Sequence, residues 1–496
     1  MQLTRPQILA VYDQGPEAVV ALQQQAQAHI DVLTEQVHLL RARVKALEDL
    51  RAQDSHNSSK APSSDWSRPA PKSLRPKSER KPGGQPGHRG ETLLMVQTPD
   101  TVVEHRPGAC TRCGTSLAQE PAQGYHRRQV LDLPPIRIQV AEHRALSVCC
   151  PRCAHQNEGV FPDQVAHSVQ YGARIKALGA YLMGYQLLPY GRTHELLVDL
   201  FGASPSPGTL HTVLVEAHQR LSGCEHGLSH EIAQIRAALL SASVLHVDET
   251  GFFVQAKRCW LHVRSSARLT YYRWHAHRGR RAIEAIGLLA DYDGTVVHDG
   301  LRTYQGYACG PGLCNGHHLR ELTFIEERFD QAWASRMKTL LLEMKASVEA
   351  AKACEAVVLE ASVLATFRRR YGEILAEGLA ANPPPVGRAE GAGKRGRLGQ
   401  TKAKNLLDRL EKYEDQVLRF ALDFEVPFDN NQAERDLRMM KLKQKISGGF
   451  RSAEGADYFC RLRSYVSTMR KQGKPMLEAL EAVFMGEPVI PSLQAE

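Results

Sequence analysis

The sequence predicts a multidomain α/β protein: a mixed sheet in βββαβ order with a helical insertion, preceded by three smaller modules. Three observations predict it. The chain has 496 residues, too many for one simple core and the length of two to four domains. Three short β-rich runs, "SVLHVDETGFFVQ", "CWLHVRSS" and "LTYYRWHAH", precede a helix-patterned stretch, "RRAIEAIGLLADY", and a further strand, "GTVVHDG". Helical text then runs from His317 to about Leu379, and a Pro/Gly/Lys/Arg segment separates it from a last basic helix.

Taken in order, residues 1–54 are expected to hold a helix that forms a short coiled coil. Ile30, Val37 and Val44 recur every seven residues, with Leu33, Leu40 and Leu47 between them. These are a and d positions over three heptads. The other reading of the stripe is an amphipathic helix packed on its own domain. Residues 55–92, rich in Ser, Pro, Gly, Lys and Arg, bury too little to order themselves and read as a basic disordered linker. It serves either as a passive tether or as an arm along phosphates. Residues 93–165 carry "CTRCG" and "CCPRC". Two C-x-x-C turns complete four thiolates on one tetrahedral Zn²⁺, so a zinc ribbon with ligands Cys110, Cys113, Cys150 and Cys153 is expected, and Cys149 falls out of register as a strand residue. Residues 166–236 form three short helices, read either as a helix-turn-helix-like DNA-binding unit or as a plain helical subdomain. Residues 237–325 and 426–496 make the two parts of the sheet-containing core, and 326–425 the helical insertion with its basic linker.

Composition narrows the function. Hydrophobic content of 43% is ordinary for a globular protein, and no window approaches the roughly 20 apolar residues of a membrane span. No membrane partner is expected. The first twenty residues lack a charged head followed by an apolar core, so no signal peptide is read and a cytoplasmic protein is expected. The net charge of +9 is clustered, which favours a nucleic-acid partner. Eleven cysteines, an odd number with C-x-x-C spacing, indicate reduced, metal-binding thiols and not a disulfide framework.

The chemistry-bearing residues lie in the core. Asp248 is expected to end the first strand and Asp299 the fourth. In a ribonuclease-H-like sheet these strands are neighbours, so both carboxylates meet. Glu249 competes with Asp248, and Asp291 and Asp293 compete with Asp299, which directly follows the apolar run "TVV". Downstream, "PFDNNQAERDLRMMKLKQKISGGFRS" sets Glu434 in a stretch dominated by lysine and arginine. Asn430 and Asn431 are N-cap candidates that place Glu434 in a first helical turn, where the helix field keeps it ionised. Three converged carboxylates suit two Mg²⁺ or Mn²⁺ ions and phosphodiester chemistry. Arg435, Arg438, Lys441, Lys443, Lys445 and Arg451 would neutralise the DNA strand pressed against them, and Gly448 and Gly449 would let the backbone approach it. Cys314 and His317 form a C-x-x-H, with Cys309 and His318 nearby. Two ligands alone do not make a zinc site, so a buried turn is expected there.

In order along the chain, "NSSKAPSSD" with "KPGGQPGHRG", the paired C-x-x-C, "YQLLPYGRTHELLVDLFG", "HVDET", "HDGLRTYQGY", "LCNGHHLREL" and "DNNQAERDLR…SGGFRS" resemble transposases of the insertion-sequence-sixty-six family. The resemblance implies a DDE-type DNA transposase with a ribonuclease-H-like catalytic core, its acids falling on Asp248, Asp299 and Glu434. It also implies a leucine zipper, a zinc-binding module and a helical insertion before the last acid. At "CNGHHLREL" the chain departs from the family's usual "CWAHARR", and no role is carried over there. The expected partners are the terminal inverted repeats of a bacterial element, target DNA, a second copy of the chain or a larger assembly, and accessory proteins encoded by the element. The alternative is a non-catalytic DNA-binding regulator derived from a transposase.

Overall fold

The computed structural model describes residues 4–54, 57–58, 93–134, 136–222, 231–384 and 400–492. Nearly all of the basic segment 55–92, and residues 385–399 of the second linker, lie outside the described residues. The chain forms two compact units, one of Met1–Pro71, Pro162–Thr193 and Ser206–Glu496, the other of Lys72–Phe161 and His194–Pro205.

In the first unit α1 (Arg5–Tyr12) leads into α2 (Pro16–Arg51). Pro16 opens α2 at the first helical position, where its missing N–H costs nothing. The heptad residues Ile30, Leu33, Val37, Leu40, Val44 and Leu47 are all exposed. Among the described residues, Val37, Leu40 and Val44 of the stripe come near the body of the chain, where they line a groove with Arg328. Near its end, α2 is tied by Asp49, whose carboxylate accepts a hydrogen bond from Arg328 at 2.9 Å.

The second unit holds β1 (Ser147–Cys149) and β2 (Gln156–Glu158), paired antiparallel. Cys149 thus ends a strand. The alternating run before it, from Ile136 onward, has no partner strand and forms none until Ser147. Among the described residues of 93–161 no apolar side chain is buried, so packing alone does not hold this module together.

The remaining elements return to the first unit, save that the second takes the end of α4. They are α3 (Ala173–Ala180), continued by a wider turn over Tyr181–Tyr185, then α4 (Tyr190–Phe201), α5 (Pro207–Ser222) and α6 (Glu231–Leu240). The sheet follows with β3 (Val244–Val254), β4 (Lys257–Ser265) and β5 (Thr270–His275), then α7 (Arg280–Ile286) and β6 (Thr295–His298). A short 3-10 turn at Arg302–Gly306 leads to β7 (Gly310–Leu313). Next come α8 (Asn315–Phe329), α9 (Ala332–Ala353), α10 (Ala361–Ala381), α11 (Lys402–Lys412), α12 (Glu414–Val417) and α13 (Arg419–Leu422). The chain closes with α14 (Asn431–Ser447), α15 (Ala453–Lys471) and α16 (Met476–Met485).

Strand order is β5-β4-β3-β6-β7, with β3–β4 and β4–β5 antiparallel and β3–β6 and β6–β7 parallel. The first and fourth strands of the βββαβ run are neighbours, as expected. The fifth strand was not expected, because "GPGL" reads as a turn. A Cβ on its Gly312 would make ordinary contact with Val426 at 3.4 Å and Val297 at 3.5 Å.

Alternation sorts the strands into two faces. Leu245, Val247, Tyr271 and Val296 join a core with α3, α5, α6, α7, α15 and α16. Phe252, Val254, Leu261, Val263 and Tyr272 face the opposite side, against Ala433, Leu437 and Met440 of α14 and Phe459 of α15. A third core gathers α8 to α13 around Trp333 and Met337. Ala177, Val213 and Ile235 share the first core with the sheet. Helices α3, α5 and α6 are therefore packed against one face of the sheet.

Candidate active site

The sheet register positions two aspartates. His246 of β3 pairs with Val297 of β6, and the parallel ladder ends there on β3. Asp248 and Asp299 each lie two residues further on, so both project to the face that α14 covers. The expectation that Asp248 ends its strand needs correction. β3 continues to Val254 as one arm of a hairpin with β4, and only its pairing with β6 stops short of Asp248. Asp299 does directly follow β6. Asp291 and Asp293 sit exposed before the strand.

Alternation also separates Asp248 from Glu249. The Glu249 side chain turns to the other face, where Arg278 Nε donates to it at 2.7 Å and Tyr304 Oη at 2.7 Å. Both its oxygens are thereby engaged. Burial and Asp299 raise its pKa, while Tyr304 and Arg278 pull it back. Arg278 Nη2 also comes within 3.8 Å of Asp299, so one guanidinium spans the two acids.

Glu434 arrives in the first turn of α14. Asn430 occupies the N-cap position, but its side chain caps nothing. Its Oδ1 lies 2.9 Å from His246 Nδ1, and its Nδ2 donates to the Val247 carbonyl at 2.8 Å. The helix start is stapled to β3 beside Asp248, and Asp429 receives the Asn431 N–H at 3.1 Å instead. Further along, Tyr272 Oη donates to the Asp436 carbonyl, and Lys471 pairs with the Asp436 carboxylate at 2.9 Å. Asp436, a second acid of the basic stretch, is thus spent on holding the helix to the sheet.

The electrostatics of the pocket are anionic. Burial raises the Asp248 pKa well above the carboxylate range, and neighbouring Glu249 and Asp299 raise it further, against the Glu249 N–H that donates to it at 2.7 Å. Glu434 adds a smaller contribution of the same sign. Among the described residues no lysine or arginine forms an ion pair with Asp248, while Glu434 has Arg320 at 3.5 Å and Asp299 has Arg278. A half-buried group of carboxylates, with Arg278 and Arg320 at two of the acids and no ion pair on Asp248 among the described residues, is chemically suited to a hard divalent cation. The three carboxylates do not all lie within 4.8 Å of one another; among the described residues, the donor set that does is Cys314, His317 and Glu434.

The C-x-x-H is a helix start and not a turn. Cys314 is the N-cap residue of α8, and its sulfur receives the Asn430 N–H at 3.1 Å. Burial pushes its thiol up to about 11. His317 lies in the first turn of α8 with Nδ1 3.9 Å from Glu434 Oε1. Burial lowers the His317 pKa, Arg320 lowers it further, and Glu434 opposes both. Cys309 belongs to the core beneath the sheet, and His318 is buried with Nδ1 3.0 Å from Asn315 Oδ1.

The basic residues divide. Glu434, Arg438, Lys441 and Lys445 follow one another at helical spacing along one face, and the last three are exposed. Arg435 and Arg451 are exposed as well. Lys443 differs: its ammonium lies 4.9 Å from the Phe450 ring centre and 5.5 Å from that of Phe459, and burial lowers its pKa. Gly449 also has a role inside the protein. A Cβ there would sit 2.5 Å from the Phe253 carbonyl, and the adjoining Phe450 bonds both ways with the end of β3. Arg258 on β4 escaped the sequence reading, since a hairpin arginine has no local signature. It stacks 4.9 Å from Trp260 and acts electrostatically on Lys441.

In the second unit the two cysteine turns are built alike. Cys110 N–H donates to the Thr115 carbonyl at 2.8 Å and Gly114 N–H to the Cys110 carbonyl at 2.9 Å. Cys150 and Ala154 repeat this with His155 and Cys150 at the same distances. Gly114 and Ala154 occupy the equivalent left-handed position, with φ of 75° and 54°. Thiol acidity rises in both turns: hydrogen bonds from Thr115 lower the pKa of Cys113, and the Arg152 N–H lowers that of Cys150. Two matched turns with acidified thiols suit zinc ligation chemically, but among the described residues no three of Cys110, Cys113, Cys150 and Cys153 have their sulfurs within 4.8 Å of one another.

Comparison with known proteins matches residues 168–458, more than half of the chain, to the transposase IS66 family. Residues 107–154 match the zinc-finger binding domain of transposase IS66. Residues 13–93 match a family of unknown function, DUF6444. No curated protein matches the chain.

Proposed function

Given that the chain belongs to the IS66 family of transposases, we propose that it is a DDE-type, metal-dependent DNA transposase. It binds the terminal inverted repeats of a bacterial insertion sequence, cuts a phosphodiester at the element end, and joins the freed 3′-hydroxyl to target DNA. The core is ribonuclease-H-like, a reading that the strand order and the parallel β3–β6 pair support. One observation carries the proposal. Asp248 and Asp299 sit at matching positions past the end of one parallel ladder, and Asn430 staples the helix bearing Glu434 to the same strand.

Asp248, Asp299 and Glu434 hold Mg²⁺ or Mn²⁺. When bound, a pair of such ions activates a water or 3′-hydroxyl and stabilises the leaving oxygen. Arg278 fixes Asp299 through the buried Glu249, so that carboxylate is held on the pocket side. Arg438, Lys441 and Lys445, with Arg435, Arg451 and Arg258 beside them, bind backbone phosphates and keep the scissile strand over Glu434. Lys443 is assigned to packing against Phe450 and Phe459. Cys110, Cys113, Cys150 and Cys153 hold the zinc of the ribbon, which with the helical subdomain and the basic segment contributes end recognition. The exposed heptad stripe of α2 pairs with a second copy, bringing two element ends together. Such a protein works in the cytoplasm, alone or with other proteins of the element.

Strand cleavage of a duplex carrying the element end tests the reading. Wild type with Mg²⁺ is expected to nick it, and Asp299→Ala and Glu434→Gln to lose at least about a hundredfold, the scale of removing an electrostatic contributor to the transition state. Equal activity in Asp299→Ala would remove that residue from the mechanism. Specific binding without cleavage by wild type would make the chain a regulator.

A further inference from the structure

Glu434 belongs to a second donor set of a different chemical kind. We propose that Cys314, His317 and Glu434 form a site for a borderline cation such as Zn²⁺, distinct from the all-oxygen site, and that filling it withdraws Glu434 from the acids on the sheet. Sulfur, imidazole nitrogen and carboxylate oxygen lie within 4.8 Å of one another, each contributing one ligand atom. Mg²⁺ prefers oxygen alone in near-octahedral array. Zn²⁺ takes sulfur, nitrogen and oxygen in a tetrahedron, and three protein ligands with one open position are its usual catalytic arrangement. Zinc bond lengths set the tetrahedral edges at about 3.5 Å, so the three donors need to close by roughly an ångström.

The fold prepares these donors independently of the two aspartates. Cys314 and His317 stand at the start of α8, and Glu434 at the start of α14. Asn430 joins the two starts, since its N–H donates to the Cys314 sulfur at 3.1 Å. His317 Nδ1 is buried without a hydrogen-bond partner and points toward Glu434 Oε1 at 3.9 Å. A buried imidazole nitrogen left unpaired is costly unless something occupies it, and a cation between it and the carboxylate would do so. Arg320, at 3.5 Å from the same oxygen, gives way on binding. Its side chain is partly exposed and can turn to solvent. Binding releases one proton, from Cys314 Sγ, and transfers no electrons.

Binding itself does not depend on the proposed activity; only the inhibitory consequence rests on it. The full chain, purified with zinc in its ribbon, is titrated with Co²⁺. A thiolate-to-cobalt charge-transfer band is expected in the near ultraviolet. It should vanish in Cys314→Ser, persist in Cys354→Ser, and require at least about tenfold more Co²⁺ in His317→Gln. Absence of the band in wild type, or its survival in Cys314→Ser, overturns the site. If circular dichroism shows that Cys314→Ser does not fold, His317→Gln and Glu434→Gln decide, and unchanged cobalt affinity in both overturns it. Zinc should also suppress Mg²⁺-dependent cleavage in wild type. A chain that binds cobalt here yet cuts no DNA sustains the site and removes the activity; one that cuts DNA without the band removes the site alone.

Discussion

Asp248 shows how the surroundings of one residue disfavour its ionised form. Its folded pKa stands above its unfolded one because burial and two anionic neighbours penalise the charge. A raised carboxylate destabilises the fold above its folded pKa, and each unit of the rise corresponds to about 1.4 kcal/mol. That cost is relieved as pH falls through the folded value. Asp248→Asn removes the ionisable carboxyl at constant size, so it is expected to raise the melting temperature at neutral pH in EDTA. Mg²⁺ should then stabilise wild type and leave Asp248→Asn unmoved. A variant that melts lower than wild type in EDTA would contradict the account of a site where burial and neighbouring carboxylates penalise the Asp248 charge. Two residues away, His246 is tied to Asn430, so the strand that carries the acid also anchors the helix opposite.

At the scale of elements, α14 is the part that the site depends on most. Its apolar face, Ala433, Leu437 and Met440, is buried against the sheet, its exposed face carries the cations, and its first turn carries Glu434. Amphipathic burial alone would let such a helix slide. Asn430 prevents this with two side-chain hydrogen bonds to β3, Lys471 and Tyr272 hold the middle through Asp436, and the Phe450 bridge to β3 fixes the end. Asn430→Ala leaves a buried carbonyl and a buried imidazole nitrogen unpaired. It should cost about 2–3 kcal/mol, read as a lower urea midpoint with unchanged slope, and cleavage should fall more than stability accounts for. A midpoint within experimental error of wild type would mean that the staple is dispensable.

Across the whole molecule, buried histidines set an acid limit. Burial and Arg264 push His262 down to about 3, burial puts His298 at about 4, and burial together with Arg409 holds His318 well below its ordinary value. A histidine kept neutral in the fold protonates first in the unfolded chain. Stability is therefore full above about pH 6.5 and is lost as pH falls toward these folded values, by about 1.4 kcal/mol per pH unit for each such residue. Urea midpoints are expected to drop steeply between pH 6.5 and 5, and His262→Gln should flatten the drop. A midpoint that holds steady to pH 5 would show that these rings are not kept neutral by the fold.

Sequence alone determined what depends on local pattern. The heptad stripe of α2, the two cysteine turns, the three strands β3 to β5 and the helices after them are each written in neighbouring residues, because 3.5-, 3.6- and 2-residue periods and tight turns are short-range properties. The adjacency of β3 and β6 followed from element order. Tertiary structure decided the rest. It extended β3 past Asp248, made a strand of "GPGL", turned Glu249 away into an ion pair, and folded Lys443 onto two rings. It absorbed the helices before the sheet into the sheet's own core. It also brought Cys314 and His317 to Glu434, more than a hundred residues away in the chain. These outcomes turn on register, face and the packing of distant side chains, and those are set only when the elements meet.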